Sequence, residues 1–189
     1  MGVEEHKKHG ADLKLYCGVI TVSDTRGHLN DISGKAIIDS LSAAGHVPLY
    51  YKVVRDDKDA IKNEVELALA QDGLKAVVIN GGSGIGPRDV TIEAVAPLLD
   101  KELPGFGELF RMLSFEEIGS AAMMSRATAG IARGIPVFVL PGSPKAVALA
   151  VEKLIIPELG HLIHELTRQH GEGEEIPCVT DEAGVSKDD

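Results

Sequence analysis

Lys75-Ala-Val-Val-Ile-Asn-Gly-Gly-Ser-Gly-Ile-Gly-Pro-Arg-Asp-Val-Thr91 reads as a strand, a glycine-dense loop and the start of a helix. The short apolar run from Ala76 to Ile79 predicts a buried strand. Glycines follow at 81, 82, 84 and 86. One tight turn needs only one or two. Clustered glycines let backbone N–H groups converge on a ligand with no side chain in the way. The helix that begins near Thr91 adds the positive end of its dipole. An anion, above all a phosphate, suits such a loop, with Arg88 and Asp89 at its mouth. The plainer alternative is an ordinary strand-to-helix turn.

Working outward, the pattern on the N-terminal side alternates. Residues 13–22 (LKLYCGVITV) and 46–54 (HVPLYYKVV) read as strands. Asp31 or Ser33 caps a helix carrying Ala36, Ile37, Leu41 and Ala44, and Gly45 stops it. Ile61, Val65, Ala68 and Leu69 mark a second helix, ended at Asp72-Gly73. Strict β-α-β-α-β alternation with short connections predicts a parallel sheet with helices on both faces.

Beyond the loop, Ile92, Val95, Ala96 and Leu99 predict a third helix that Pro97 shortens or kinks. Pro104 to Glu108 reads as a turn and Leu109 to Glu117 as a helix, whereas the small residues from Gly119 to Gly130 give no firm element. Arg133-Gly134 is a turn before the strand Ile135–Leu140. Pro141-Gly142-Ser143-Pro144-Lys145 forms a second phosphate-loop-like turn, followed by helices over 146–154 and 155–169. Residues 1–12 and 170–189 are polar and charged and read as disordered tails around one domain, 13–169.

Of the 189 residues, 44% are apolar, enough for a core that must be aliphatic because Trp is lacking. A net charge of −10 argues against a nucleic-acid partner, which calls for a basic face. No run approaches the roughly 20 apolar residues of a membrane span. The charged N-terminus is not a secretory signal. Cys17 and Cys178 form neither a disulfide framework nor a metal cluster. The expected location is cytoplasmic.

Four loops leave the C-terminal ends of predicted strands: Ser23-Asp24, Asp56-Asp57, Gly81 to Asp89, and Pro141 to Lys145. Ligands of open parallel sheets bind on that rim. The glycine loops supply N–H donors, Lys145 and Arg88 supply charge, and Asp57 and Asp89 supply the hard oxygens that Mg²⁺ prefers. Phosphoryl or nucleotidyl transfer needs little beyond such positioning and charge neutralisation. The loop is not a Walker motif, since Pro87-Arg88-Asp89 replaces the lysine region. Its place after the third strand also rules out a Rossmann fingerprint.

These residues resemble the molybdenum cofactor biosynthesis family of molybdopterin adenylyltransferases (the MoaB/Mog type), whose domain also occurs in gephyrin and plant Cnx proteins. The matching segments are Thr21 to Thr25, Asp31 to Gly34, Gly81 to Gly84, Pro87 to Thr91, Pro104 to Glu108, Ser125-Arg126 and Leu140 to Lys145. Gly105 to Gly119 resembles the MoaB branch in particular. The resemblance implies a three-layer α/β/α fold and a homotrimer or hexamer. It implies a nucleotidyltransferase that adenylylates molybdopterin: the pterin phosphate attacks the α-phosphorus of Mg-ATP, ahead of metal insertion.

Carried over, Asp57 and Asp89 are the catalytic, Mg²⁺-side aspartates, with Asp56 an alternative to Asp57. Gly81, Gly82, Ser83 and Gly84 hold phosphate, and Glu108, Ser143 and Lys145 line the pocket. Ser23, Asp24, Arg88, Pro141 and Gly142 complete the candidate set. The second functional reading is a non-catalytic molybdopterin carrier or a trimeric scaffold for other molybdenum-cofactor enzymes. Plainer roles stand beside these: Asp57 or Asp89 as a helix cap, Glu108 as a solvated carboxylate, Arg126 as an ion-pair residue.

Overall fold

The computed structural model describes residues 13–168. Both expected tails fall outside them.

A six-stranded sheet in the order β2-β1-β3-β6-β5-β4 forms the middle layer. Its strands are β1 (Tyr16–Val22), β2 (Val47–Val54), β3 (Leu74–Asn80), β4 (Lys101–Glu102), β5 (Thr128–Ala132) and β6 (Ile135–Leu140). β2, β1, β3 and β6 run parallel, while β5 and β4 are antiparallel additions at one edge. The helices are α1 (Ile32–Ala43), α2 (Lys58–Leu69), α3 (Thr91–Val95), α4 (Pro104–Ile118), α5 (Pro144–Ala150) and α6 (Ile156–Thr167).

Side chains of successive strand residues point to opposite faces, and each face has its own core. Cys17, Val19, Ala76, Val78, Phe138 and Leu140 pack against α1, α4, α5 and α6. Ile20, Val22, Val77, Ile79, Val137 and Val139 pack against α2 and α3. The fold is the expected three-layer α/β/α sandwich around a mostly parallel sheet.

Local chemistry explains most boundaries. Asp31 caps α1 by accepting from the Gly34 N–H at 2.9 Å. Asp57 caps α2 by accepting from the Ala60 N–H at 2.9 Å. α3 tightens into a 3₁₀ turn at Ala96–Leu98, where Pro97 sits. Arg133 and Gly134, with φ of 52° and 77°, form the two-residue connection of the β5–β6 hairpin.

Three expectations need correction. Pro104 to Glu108 is not a turn but the first helical segment of α4, with Pro104 at its start, where a missing N–H costs nothing. Residues 128–132, left without an element, form β5, whose Gly130 lies against Leu99 and the Lys101 carbonyl. The two C-terminal helices are joined without a break by a π-helical turn, Val151–Ile155, and Pro157 falls in the first turn of α6.

Candidate functional site

Strand register brings the predicted rim together. Val22 pairs with Val54, Thr21 with Asn80, and Asn80 with Leu140, so all four parallel strands end level. β1 leads to α1 on one face, while β3 leads to α3 on the other. The crevice between diverging connections is where open α/β sheets bind ligands.

A cleft of about 520 Å³ opens there, lined by Ser23, Arg26, Gly81 to Gly84, Asp89, Ser125, Arg126 and Pro141 to Pro144. Gly81 has φ +94°, and a Cβ on it would collide with the Val22 carbonyl oxygen. A Cβ on Gly142 would lie 3.0 Å from the Gly81 Cα, so the two loops meet backbone to backbone. Thr91, fully buried, fastens the glycine loop from below. Its hydroxyl donates to the Gly81 carbonyl and its N–H to the Gly82 carbonyl, both at 2.9 Å.

The amide of Gly86 donates to Asp89 Oδ2 at 2.8 Å. Those of Gly82, Ser83 and Gly84 make no hydrogen bond to the described residues. Three successive amides beside a cleft are suited to an anion.

Arg126 clamps this loop from the β5 side. Its Nε donates to the Ser83 carbonyl at 2.9 Å and Nη2 to the Asp89 carbonyl at 3.2 Å. Both Nη atoms also engage the Glu93 carboxylate, and this bonding holds the Glu93 carboxyl below the usual range.

A second cavity adjoins the first beyond Asp24, lined by Arg55, Asp56, Asp57, Asn63, Glu64 and Arg88. Arg88 Nη2 pairs with Asp24 Oδ2 at 2.6 Å, bridging the first and third loops. The Asp56 N–H donates to Asp24 Oδ1 at 3.3 Å. The Asp56 carboxylate approaches the glycine loop: both its oxygens would lie 2.8 Å from a Cβ on Gly82. Burial raises the Asp56 pKa, and the charges of Asp89 and Asp24 add to the rise, while the Val90 N–H and Arg88 oppose it.

The two adjacent aspartates point in different directions. Asp56 faces Gly82 and Asp89, whereas the exposed Asp57 side chain is committed to the start of α2. Asp89 itself does not cap α3, which lacks a side-chain cap. Its carboxylate curls back over Gly84 and Gly86.

Ser23, Asp24, Gly81 to Gly84, Arg88, Asp89 and Pro141 to Ser143 therefore come together around the two cavities. Two expected members do not. Lys145 is exposed and lines a separate groove with Glu117 and Glu152. Glu108 is exposed on α4 and lines neither cavity. Sequence reasoning had not placed Arg26 and Arg126 in the site, although both belong to matching or adjoining motif segments.

A sequence family described as "Probable molybdopterin binding domain" matches residues 18–161. The chain belongs to this family. Within it, the chain is 54% identical over 169 residues to molybdenum cofactor biosynthesis protein B of Bacillus subtilis, covering 89% of this chain and 99% of that one. A crystal structure of a molybdenum cofactor biosynthesis protein B is 50% identical with a TM-score of 0.81, covering 83% of this chain and 98% of that one. The tungsten cofactor synthesizing protein MoaB from Pyrococcus furiosus is 46% identical with a TM-score of 0.74, covering 81% and 97%. The matched residues include both cavities and the whole sheet except Tyr16 and Cys17 at the start of β1. Among the described residues no helix is long and apolar enough to cross a membrane.

Proposed function

We propose that this protein acts in molybdenum cofactor biosynthesis as an Mg-ATP-dependent molybdopterin adenylyltransferase. A terminal phosphate oxygen of the pterin attacks the α-phosphorus of ATP. A new P–O–P linkage forms, the bond from the α-phosphorus to its β-bridging oxygen breaks, and pyrophosphate leaves with the electron pair. The observation that carries this reading is the meeting of Asp56 and Asp89 at a glycine loop with three unengaged amides. A site that only bound a phosphate would have no use for carboxylates beside it.

The donor set fits Mg²⁺ in one particular manner. No group of three or more His, Cys, Asp or Glu side chains among the described residues is placed to hold a metal alone. Mg²⁺ in nucleotide sites takes one or two carboxylates and completes its shell with phosphates and water. Asp56 and Asp89 would hold it, and it would neutralise triphosphate charge. The chain's own residues do the rest. The amides of Gly82 to Gly84 orient phosphoryl oxygens, Thr91 and Arg126 keep those amides aimed, and the 141–143 loop closes the opposite wall.

The same reading includes a homotrimer. α4 exposes Leu109, Met112, Phe115 and Ile118, and Met123 and Met124 just beyond it are exposed as well. Large apolar side chains left exposed in such number are suited to burial against copies of the same chain. Mixing the protein with molybdopterin, ATP and Mg²⁺ is expected to release one pyrophosphate per pterin consumed. Pterin binding without pyrophosphate release would instead make the protein a carrier.

A further inference from the structure

Two arginines line the main cleft, and they differ in what they do with their charge. Arg126 is ion-paired with Glu93. Arg26 has only neutral partners among the described residues: its Nη1 donates to Ser33 Oγ and to the Gly142 carbonyl, each at 3.2 Å. The other cations first expected to supply charge are elsewhere. Arg88 is held by Asp24 at 2.6 Å, and Lys145 sits outside the cleft.

The tie from Arg26 to the 141–145 loop does not account for an arginine. Ser33 Oγ already donates to the same Gly142 carbonyl, at the shorter distance of 2.8 Å. The backbone of Arg26 is fixed independently, since its N–H donates to Ser23 Oγ at 3.1 Å. Ser33 and Gly142 occupy one end of the guanidinium, and its Nε and Nη2 donors make no hydrogen bond to the described residues. A planar fork held at one edge, with the other edge open, is the geometry that takes a phosphate bidentately. Its partial burial strengthens the attraction, because such a charge is less screened than one in open water.

We infer that Arg26 is the cation that receives a phosphoryl group in this cleft, across from the glycine loop, with Ser33 and the Gly142 carbonyl fixing its orientation. The inference rests on the reading of the cleft as a phosphate site. It goes further in naming the residue that supplies positive charge. The phosphate is that of the nucleotide or that of the pterin, both of which offer the same oxygens.

The test uses the full chain with inorganic pyrophosphate as probe, followed by calorimetry and by the ¹⁵N–¹H signal of Arg26 Nε. Wild type is expected to bind, with that signal shifting. Arg26→Gln is expected to weaken binding roughly tenfold or more, the size of a lost charge-assisted contact, at unchanged melting temperature. Arg26→Lys should recover part of the affinity, and it carries the comparison alone if the glutamine variant does not fold. KM measured separately for ATP and for molybdopterin then identifies the source, since the substrate whose phosphate meets Arg26 shows the rise.

Binding through Arg26 with no adenylyl transfer would overturn the proposed reaction and leave this inference standing. Wild-type affinity and wild-type KM values in Arg26→Gln, or a wild type that ignores pyrophosphate, would overturn the inference.

Discussion

The Arg126 Nε donates to the Ser83 carbonyl at 2.9 Å, which ties the start of β5 to the middle of the glycine loop. With the bond from Nη2 to the Asp89 carbonyl, one guanidinium holds both halves of that loop. Glu93, on the first turn of α3, holds the guanidinium in turn.

Removing the clamp should loosen the loop without melting the fold, because neither core includes Arg126. Arg126→Gln and Glu93→Gln are each expected to speed amide exchange over residues 82–90 and to raise KM for ATP severalfold. Exchange in β3 should stay as in wild type. Hydrogen exchange with mass detection checks this, and equal protection of the loop in all three proteins would refute the clamp.

The adjacent aspartates should separate cleanly. Asp57→Ala removes the cap of α2 and is expected to cost about 1 kcal/mol of stability with turnover retained. Asp56→Asn is expected to abolish turnover. Its effect on stability has a defined sign. Burial raises the pKa of Asp56 in the folded state, so the folded protein holds that proton more tightly than the unfolded chain does. Stability is therefore lost as pH rises through the ordinary aspartate range, and the loss is complete above the folded pKa. Asp56→Asn should stabilise the protein at neutral pH, and the gain should fade as pH falls to about 3, near and below the ordinary aspartate pKa. Denaturant melts at both pH values decide it.

Why Asp56 and Asp57 were inseparable in the sequence is physical. Both are acidic, and the backbone at Asp57 is extended, with φ −134° and ψ 131°. Neighbouring side chains there point in opposite directions, so which one meets the loop depends on where α2 is capped. β1, β3 and β6 were legible because their apolar runs are buried, and β2, an edge strand of half-buried residues, was legible from its Val and Tyr content between two helical patterns. β5 was not legible, since Thr-Ala-Gly-Ile-Ala owes its strand state to neighbours on both sides rather than to propensity. Lys145 and Glu108 lie in motif segments yet line neither cavity, because motif membership fixes a residue's place along the chain and not what its side chain meets.

The backbone contact between Gly81 and its surroundings sets a third expectation. Gly81→Ala places a Cβ on the Val22 carbonyl at a left-handed φ. A loss of about 2 kcal/mol or more follows, together with lost phosphate affinity. Thermal melts and pyrophosphate titration check the two effects, and a wild-type melt would contradict the tight approach of the loop to β1.

On α4, Phe115→Glu places a charge among the exposed apolar side chains. Wild type is expected to sediment as a trimer or a dimer of trimers, and the variant as a smaller species of unchanged helical content. A monomeric wild type would remove self-association from the account.

The central claim is transfer of an adenylyl group, and the isotope that reports it is ³²P at the α position of ATP. Incubated with molybdopterin, Mg²⁺ and the wild-type protein, the label should appear on the pterin, and Asp56→Asn should leave it in ATP. Saturating pterin and ATP with no label on the pterin would contradict the claim.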